Sequence, residues 1–154
     1  MAWRRSNTYS GRYELKRPKK YIGNKAPTYR SSWEATFMAF LEENKMVKRW
    51  SSEWIKIPYQ LPDATTHTYI TDFYVEIYDN VGNLQRYIVE VKPNAQTGHK
   101  SLPNKPKNSN KKAWDRYNSE RKVIIINQFK WEAAQRYCKT HGLKFIVLTE
   151  DVLL

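Results

Sequence analysis

Two alternating segments separated by a short turn constrain the fold of this chain more than any other feature. Residues 67–75 and 87–93 each place polar and charged residues among apolar ones, as a strand with one covered face does. Between them, residues 79–83 combine Asp, Asn and Gly, which tolerate the backbone angles of a tight hairpin loop. The sequence therefore predicts a hairpin whose strands cover about residues 68–78 and 85–92.

Three ionisable residues are predicted to project from one face of this hairpin. Asp72 lies on the first strand, and Glu90 and Lys92 lie two residues apart on the second, so they share a face. Carboxylates among apolar residues are costly unless a positive charge accompanies them. Mg²⁺, with Mn²⁺ as a substitute, binds one or two carboxylates and leaves its other positions to water and phosphate. We therefore expect Asp72 and Glu90 to hold this ion and Lys92 to orient or deprotonate a water molecule.

The overall charge indicates a polyanionic partner. The 154 residues include 27 Lys and Arg against 15 Asp and Glu, which gives a formal net charge of +12. Such charge favours nucleic acid, because each basic residue that neutralises a phosphate releases counterions. The alternative is a soluble protein whose positive charge binds no partner. The clustering of the basic residues argues against it. DNA is therefore the predicted partner, and no small-molecule cofactor is predicted.

Two basic clusters flank the acidic hairpin in the sequence. Residues 1–28 show no sustained period and predict an extended basic arm before a single domain of residues 29–154. The polar stretch of residues 93–111 is long enough to suggest a functional loop. Arg30 and Gln96 are further candidates, although a surface arginine and an ordinary loop residue explain them as well. The candidate DNA-binding residues are Arg4, Arg5, Arg12, Lys16, Arg17, Lys19, Lys20, Arg30, Gln96, Lys105, Lys107, Lys111 and Lys112.

The sequence argues against a membrane partner and against sites built from several cysteines. No apolar run is long enough for a membrane-spanning helix, so no membrane partner is expected. Cys138 is the only cysteine, so neither a disulfide within the chain nor a cysteine-based zinc site can form.

The remaining segments predict an α/β fold. Apolar residues at helical spacing predict a helix from about Ser31 to Asn44, and residues 50–59 predict an edge strand that ends at Pro58. A long helix followed by a strand over residues 143–148 predicts a right-handed crossover with parallel pairing. The fold class is therefore α/β, with a mixed β-sheet and flanking helices.

Four further local features can be interpreted from the sequence. Residues 123–126 and Glu34 allow more than one interpretation, and Glu76 and Trp54 have a single structural one. Residues 123–126 have the composition of a buried strand but lie within helical sequence, and their period decides neither way. Ser31 and Glu34 have the spacing of a capping box, which is the first interpretation of Glu34 from the residues alone. Glu76 is expected to be solvated, and Trp54 is expected in the core or at its edge.

Taken together, these residues resemble the PD-(D/E)XK nucleases. The similarity is greatest to the branch that includes the TnsA transposon endonuclease and the head completion nucleases of T-even-type phages. Asp72 followed about twenty residues later by Glu90-Val91-Lys92 matches the nuclease motif, with Thr71 in place of the usual proline. Other matching residues include Arg30, Trp33, Glu34, Trp50, Glu53, Tyr69, Gln96, Trp131, Tyr137, Gly142 and Phe145.

The resemblance implies a restriction-endonuclease-like core and a fuller catalytic site. Glu34 would join Asp72, Glu90 and Lys92 as a catalytic residue, and the carbonyl group of Val91 would be a third metal ligand. It also implies a Mg²⁺-dependent endodeoxyribonuclease that acts on packaged DNA ends during phage head completion. Head or portal proteins would then be partners, and the protein would act in the host-cell cytoplasm during assembly or as part of the virion. Residues 123–126 would be helical.

Two alternatives remain on the same core. One is a DNA-end-binding or head-plugging protein in which catalysis is incidental, although the intact set of two acids and a lysine argues against a decayed site. The other is a resolvase or restriction-type enzyme, which would prefer a particular junction or sequence.

Overall fold

The computed structural model describes residues 10–97 and 103–153, and its central feature is a mixed four-stranded sheet. In chain order the elements are β1 (Gly11–Arg12), β2 (Thr28–Tyr29), α1 (Ser32–Glu43), β3 (Val47–Ser52), β4 (Lys56–Gln60), β5 (Thr66–Ile70), β6 (Phe73–Tyr78), β7 (Leu84–Val91), α2 (Lys111–His141), β8 (Lys144–Leu148) and α3 (Glu150–Leu153). The sheet has the order β3-β6-β7-β8, antiparallel except for the β7–β8 pair, which is parallel. The predicted α/β fold class with a mixed sheet is confirmed.

Each face of this sheet is covered by a different helix. Helix α1 packs on one face, where Phe37 meets Phe73 with ring centroids 5.0 Å apart. Helix α2 and the β4–β5 hairpin cover the other face. The buried residues of the first core include Trp33, Phe37, Trp50, Phe73 and Val89, and those of the second include Ile57, Tyr69, Ile88, Trp131 and Ala134. The sheet is thus the middle layer of three.

The predicted hairpin forms between β6 and β7. Oδ1 of Asp79 accepts hydrogen bonds from the backbone amides of Val81 and Asn83, at 3.0 and 2.9 Å. Gly82 has a φ of +85°, which a residue without a Cβ adopts at low cost. These turn residues fix the register that places Phe73 opposite Val89.

Helix α2 runs without interruption through residues 123–126. It begins where the side chain of Asn110 accepts hydrogen bonds from the first helical amides, and it ends at Gly142, with φ of +70°. Ile124 is 2% exposed whereas Val123 is 41% exposed, so the β-branched run extends from the exposed to the buried side of the helix. The helical interpretation is therefore confirmed, as is the parallel strand after the crossover.

Two predicted strands are wrong in the same way, because each is divided. Residues 50–59 belong to β3 and β4, which are separated at Glu53, where φ is +53°. The strand predicted from residue 68 to 78 is divided at Thr71, whose hydroxyl and amide both donate to the carbonyl of Ile55. Because of these breaks, β4 and β5 form a two-stranded sheet separate from the main sheet, and this hairpin packs on α2. Pro58 is tolerated inside β4 because this strand pairs only with β5.

Residues 10–28, within the segment expected to be an extended arm, lie against the domain. The carboxylate of Glu42, which is 1% exposed, accepts hydrogen bonds from the backbone amides of Lys16 and Arg17. The Nζ atom of Lys20 donates to three carbonyl oxygens at the C-terminal end of α1. Residues 16–20 are therefore bound to the C-terminal end of α1 by hydrogen bonds.

Glu76 and Trp54 also differ from expectation. Glu76 is 5% exposed, and its carboxylate accepts two hydrogen bonds from Arg49 and one from the hydroxyl of Tyr74. The expectation that Glu76 is solvated is therefore wrong, because Arg49 and Tyr74 satisfy its carboxylate within the fold. Trp54 is 48% exposed, because it follows the break at Glu53 and lies outside both cores.

No helix in residues 10–97 or 103–153 is both long and apolar enough to cross a membrane.

Candidate active site

A polar cavity of about 230 Å³ opens where β6 begins and β7 ends. Because the two strands are antiparallel neighbours, the residue before β6 and the residues that end β7 lie at the same edge of the sheet. The residues that line this polar cavity include Arg30, Glu34, Glu53, Asp72, Val91, Lys92 and Gln96. All of these except Glu53 are candidate site residues from the sequence analysis.

Backbone hydrogen bonds hold the three central residues together. Oδ2 of Asp72 accepts a hydrogen bond from the backbone amide of Val91 at 2.9 Å. Glu90 is 2% exposed, and its Oε1 lies 3.5 Å from Nζ of Lys92. The backbone amide of Lys92 donates in turn to the carbonyl of Leu148, in the neighbouring strand β8. The expected juxtaposition of Asp72, Glu90 and Lys92 is thus present.

The two strand carboxyl groups are too close and too buried to be ionised independently. Burial raises the pKa of Asp72, and the two side chains share a hydrogen bond. Burial and the charge of Asp72 raise the pKa of Glu90 to about 8, against the opposing effect of Lys92. In the absence of an added cation, a proton is therefore retained between the two groups near neutral pH.

Glu34 combines the two interpretations that the sequence offered. Its backbone amide donates to Oγ of Ser31 at 3.1 Å, and that hydroxyl lies 3.2 Å from Oε2 of Glu34, so the pair caps α1. The same carboxylate lines the polar cavity. Burial and the negative charge of Asp72 raise the pKa of Glu34 to about 7, although Ser31 and Arg30 act in the opposite direction.

Two residues beside the acids were not identified as site residues from the sequence. The hydroxyl of Tyr69, at the end of β5, donates a short hydrogen bond to Oε2 of Glu90. Lys130 of α2 lies with its Nζ 5.6 Å from the centre of the Tyr69 ring. Burial, with the nearby charge of Lys92, lowers the pKa of Lys130. Unbroken alternation would place Tyr69 on the face opposite Asp72, so only the break at Thr71 explains its contact with Glu90, and no local pattern relates a helical lysine to a distant strand.

The chemistry of the donors fits a divalent cation. Asp72 and Glu90 are buried carboxyl groups with raised pKa values, and within the described residues Lys92 and the more distant Lys130 are the cations that interact with both. Within the described residues, no three Asp, Glu, His or Cys side chains converge to form a complete metal-binding cluster. An ion held by Asp72 and Glu90 would therefore keep most of its positions for water and phosphate, as Mg²⁺ prefers.

Two of the candidate DNA-binding residues lie at the polar cavity. Arg30 is on its rim, where Nη2 lies 3.0 Å from Oε1 of Glu53 and 73% of the side chain is exposed. Gln96 follows β7 in a short 3₁₀ turn, and its carbonyl accepts a hydrogen bond from Asn127 of α2. Both residues line the polar cavity together with Glu34 and Asp72.

A second group lies at the far end of α1. Arg17 and Lys20 bind backbone carbonyls there, and Arg17 also pairs with Glu43 at 3.0 Å. A helix of 12 residues is about 18 Å long, so these side chains lie well away from Glu34 at its start. The other members of this N-terminal group are exposed: Arg12, Lys16 and Lys19.

A third group precedes and begins α2. Lys105, Lys107, Lys111 and Lys112 are exposed, and Lys112 lies about 27 Å along the helix from Lys130. Arg4 and Arg5 fall outside the described residues. The candidate residues are thus spread over the molecule and do not form one patch at the polar cavity.

Comparison with known proteins identifies the family. The chain is 35% identical over 147 residues to the head completion nuclease of Enterobacteria phage T4, which covers 94% of this chain and 93% of that protein. Residues 44–150 match the TnsA-like endonuclease family over its N-terminal part, a match that includes Asp72, Glu90 and Lys92 and begins after Glu34. The restriction-endonuclease-like core expected from the resemblance agrees with both findings. The chain belongs to the TnsA-like endonuclease family.

Proposed function

We propose that this protein is a Mg²⁺-dependent endodeoxyribonuclease that acts during the completion of phage heads. The observation that carries the proposal is the buried pair of carboxyl groups, Asp72 and Glu90, next to the polar cavity that Asp72 and Lys92 line. Membership of an endonuclease family supports the reaction class. The high net positive charge supports DNA as the substrate.

The residues of the polar cavity have distinct roles in this proposal. Asp72 and Glu90 hold the ion, with the carbonyl of Val91 as a further ligand. When bound, a divalent ion polarises the scissile phosphate and lowers the pKa of a water ligand. Lys92 donates hydrogen bonds from Nζ to the attacking water or to a phosphate oxygen. Glu34, with a pKa of about 7, accepts a proton close to physiological pH.

The biological setting is proposed from the similar protein. The T4 relative is named a head completion nuclease, and the similarity spans nearly the whole of both chains. We propose that this protein acts on packaged DNA ends. Its partners are then head or portal proteins, and its site of action is the host-cell cytoplasm during assembly, or the virion.

Cleavage of supercoiled plasmid tests the catalytic assignment. We expect cleavage in Mg²⁺ and none in EDTA, and a loss of at least about 100-fold in Asp72→Asn, Glu90→Gln and Lys92→Gln, because each removes a group that acts on the ion or the water. DNA binding in EDTA should be largely retained. Glu76→Gln is the matched control, since Glu76 is also a buried strand glutamate bonded to a tyrosine hydroxyl.

Cleavage by Asp72→Asn at the wild-type rate would overturn the assignment. Tight DNA binding by the wild-type protein without cleavage in Mg²⁺ or Mn²⁺ would favour the alternative of a DNA-end-binding or head-plugging protein.

A further inference from the structure

A second cavity, of about 380 Å³, lies between the sheet and the C-terminal end of α2. Its size falls in the range of ligand-binding sites, roughly 300–1,000 Å³. None of the described residues that line it is acidic. We call it the aromatic cavity, because its aromatic and basic residues are Trp54, Lys56, Tyr74, Arg86, Tyr137 and His141.

Trp54 offers an aromatic surface at this cavity. It is 48% exposed, and its ring packs edge-on against the buried Tyr74, with ring centroids 5.1 Å apart. Across the cavity, Tyr137 and His141 stack with centroids 4.0 Å apart. The aromatic side chains are therefore held in place before any ligand arrives, which lowers the entropic cost of stacking on them.

Positive charge accompanies these rings. Arg86 is fixed by a hydrogen bond from Nη2 to the carbonyl of His141 at 3.0 Å, and Lys56 is exposed at the start of β4. The nearby carboxylate of Glu76 is paired with Arg49 at 2.9 and 3.2 Å, so it adds little repulsion for an anion. Aromatic surfaces beside Lys and Arg are the arrangement that binds unpaired nucleotides.

The aromatic cavity and the polar cavity share a wall. Glu53 lines the polar cavity, and the next residue, Trp54, lines the aromatic one. Ile70 lines the polar cavity, and its partner across the β4–β5 ladder, Lys56, lines the aromatic one. The two cavities therefore lie close enough together for one DNA strand to reach both.

We propose that the aromatic cavity binds unpaired bases of the DNA strand whose backbone occupies the polar cavity. This inference rests on the proposed nuclease function, because that function brings DNA to the shared wall. Trp54 stacks on a base, and Arg86 and Lys56 bind the adjoining phosphates. The preferred substrate is then a duplex with a single-stranded tail, not a fully paired end.

Equilibrium binding in EDTA tests this without catalysis. Fluorescence anisotropy would compare a blunt duplex with the same duplex carrying a single-stranded tail. We expect the wild-type protein to prefer the tailed duplex. Trp54→Ala should weaken binding of the tailed duplex about 5- to 100-fold, because one stacked base is lost, and weaken binding of the blunt duplex much less. Trp54→Phe should restore part of the affinity.

Phe40→Ala is the matched control, because Phe40 is 49% exposed on α1 and lies outside the aromatic cavity. It should change neither affinity. No effect of Trp54→Ala, or an equal loss for both duplexes, would overturn the inference. Absence of cleavage in Mg²⁺ and Mn²⁺ with a preserved, Trp54-dependent preference for the tail would overturn the nuclease proposal and support this one.

Discussion

At the scale of single residues, Glu90 is held on both sides before any ion binds. Tyr69 donates to one of its oxygens, and Lys92 lies 3.5 Å from the other. The sequence could predict Asp72, Glu90 and Lys92 as one site, because strand parity and a single hairpin relate them. It could not predict Tyr69 and Lys130 as neighbours of Glu90, because only the packing of β5 and α2 on the sheet brings them there.

Loss of the Tyr69 hydroxyl should weaken metal binding. In Tyr69→Phe we expect the Mg²⁺ concentration for half-maximal cleavage to rise about 10-fold, since groups that orient metal ligands typically contribute that much. The fold should persist, because the ring remains. Tyr74→Phe removes a similar hydrogen bond, from Tyr74 to Glu76 at 2.7 Å, and should leave the Mg²⁺ dependence unchanged. Equal shifts in both variants would contradict a specific role for Tyr69.

The raised pKa of Glu90 should make stability depend on pH. The folded state holds this proton up to about pH 8, whereas the unfolded state releases it near pH 4.5, so the free energy of unfolding falls as pH rises through that window. In Glu90→Gln the fall between pH 6 and pH 9 should be smaller, by on the order of 2–4 kcal/mol. Urea unfolding in EDTA measures this, and an unchanged pH dependence would count against the assigned shift.

At the scale of elements, α1 links the N-terminal segment to the site. Glu34 lies in its first turn, at the polar cavity, and Glu42 lies in its last turn, fastened to residues 16 and 17. The extent of α1, the hairpin loop and the last strand were predictable from local patterns. The breaks at Glu53 and Thr71 were not, because they arise from packing of the β4–β5 hairpin against α2 and leave no signal in the strand alternation.

Removal of the Glu42 carboxylate should destabilise the protein. Glu42→Ala leaves the amides of Lys16 and Arg17 without their acceptor, at a cost of about 1–3 kcal/mol in the free energy of unfolding. Glu43→Ala is the adjacent control, because Glu43 is 59% exposed and its ion pair with Arg17 is worth less than about 1 kcal/mol. Thermal unfolding compares the stability of the two variants. Equal losses of stability would show that the hydrogen bonds from residues 16 and 17 to Glu42 do not stabilise the protein.

At the scale of the whole molecule, positive charge is distributed over surfaces far from the acids. Lys111 and Lys112, at the start of α2, lie more than about 25 Å from Lys130 along that helix. The net charge of +12 was sufficient to predict a polyanionic partner, but composition does not say which lysines face it. A distributed charge of this kind would contact a long stretch of DNA rather than a single phosphate.

Salt dependence measures how many of these charges meet phosphates. We suppose that Lys105 and Lys107 each neutralise one phosphate. Replacing both by glutamine should then reduce the magnitude of the slope of log K, the DNA association constant, against log salt concentration by about 1.8. The double variant of Lys45 and Lys48, exposed lysines that are not among the candidates, should keep the wild-type slope. A wild-type slope in the first variant would remove this loop from the DNA-contacting surface.

Residues 148–151 support the polar cavity from the neighbouring strand and the short helix after it. The carbonyl of Leu148 holds the amide of Lys92, and the carboxylates of Glu150 and Asp151 hold Asn94, just before Gln96. During translation, residues 72–96 leave the ribosome long before these partners do. In a nascent chain these contacts therefore form only after residues 148–151 have emerged, so the polar cavity is assembled from segments that are synthesised at well-separated times.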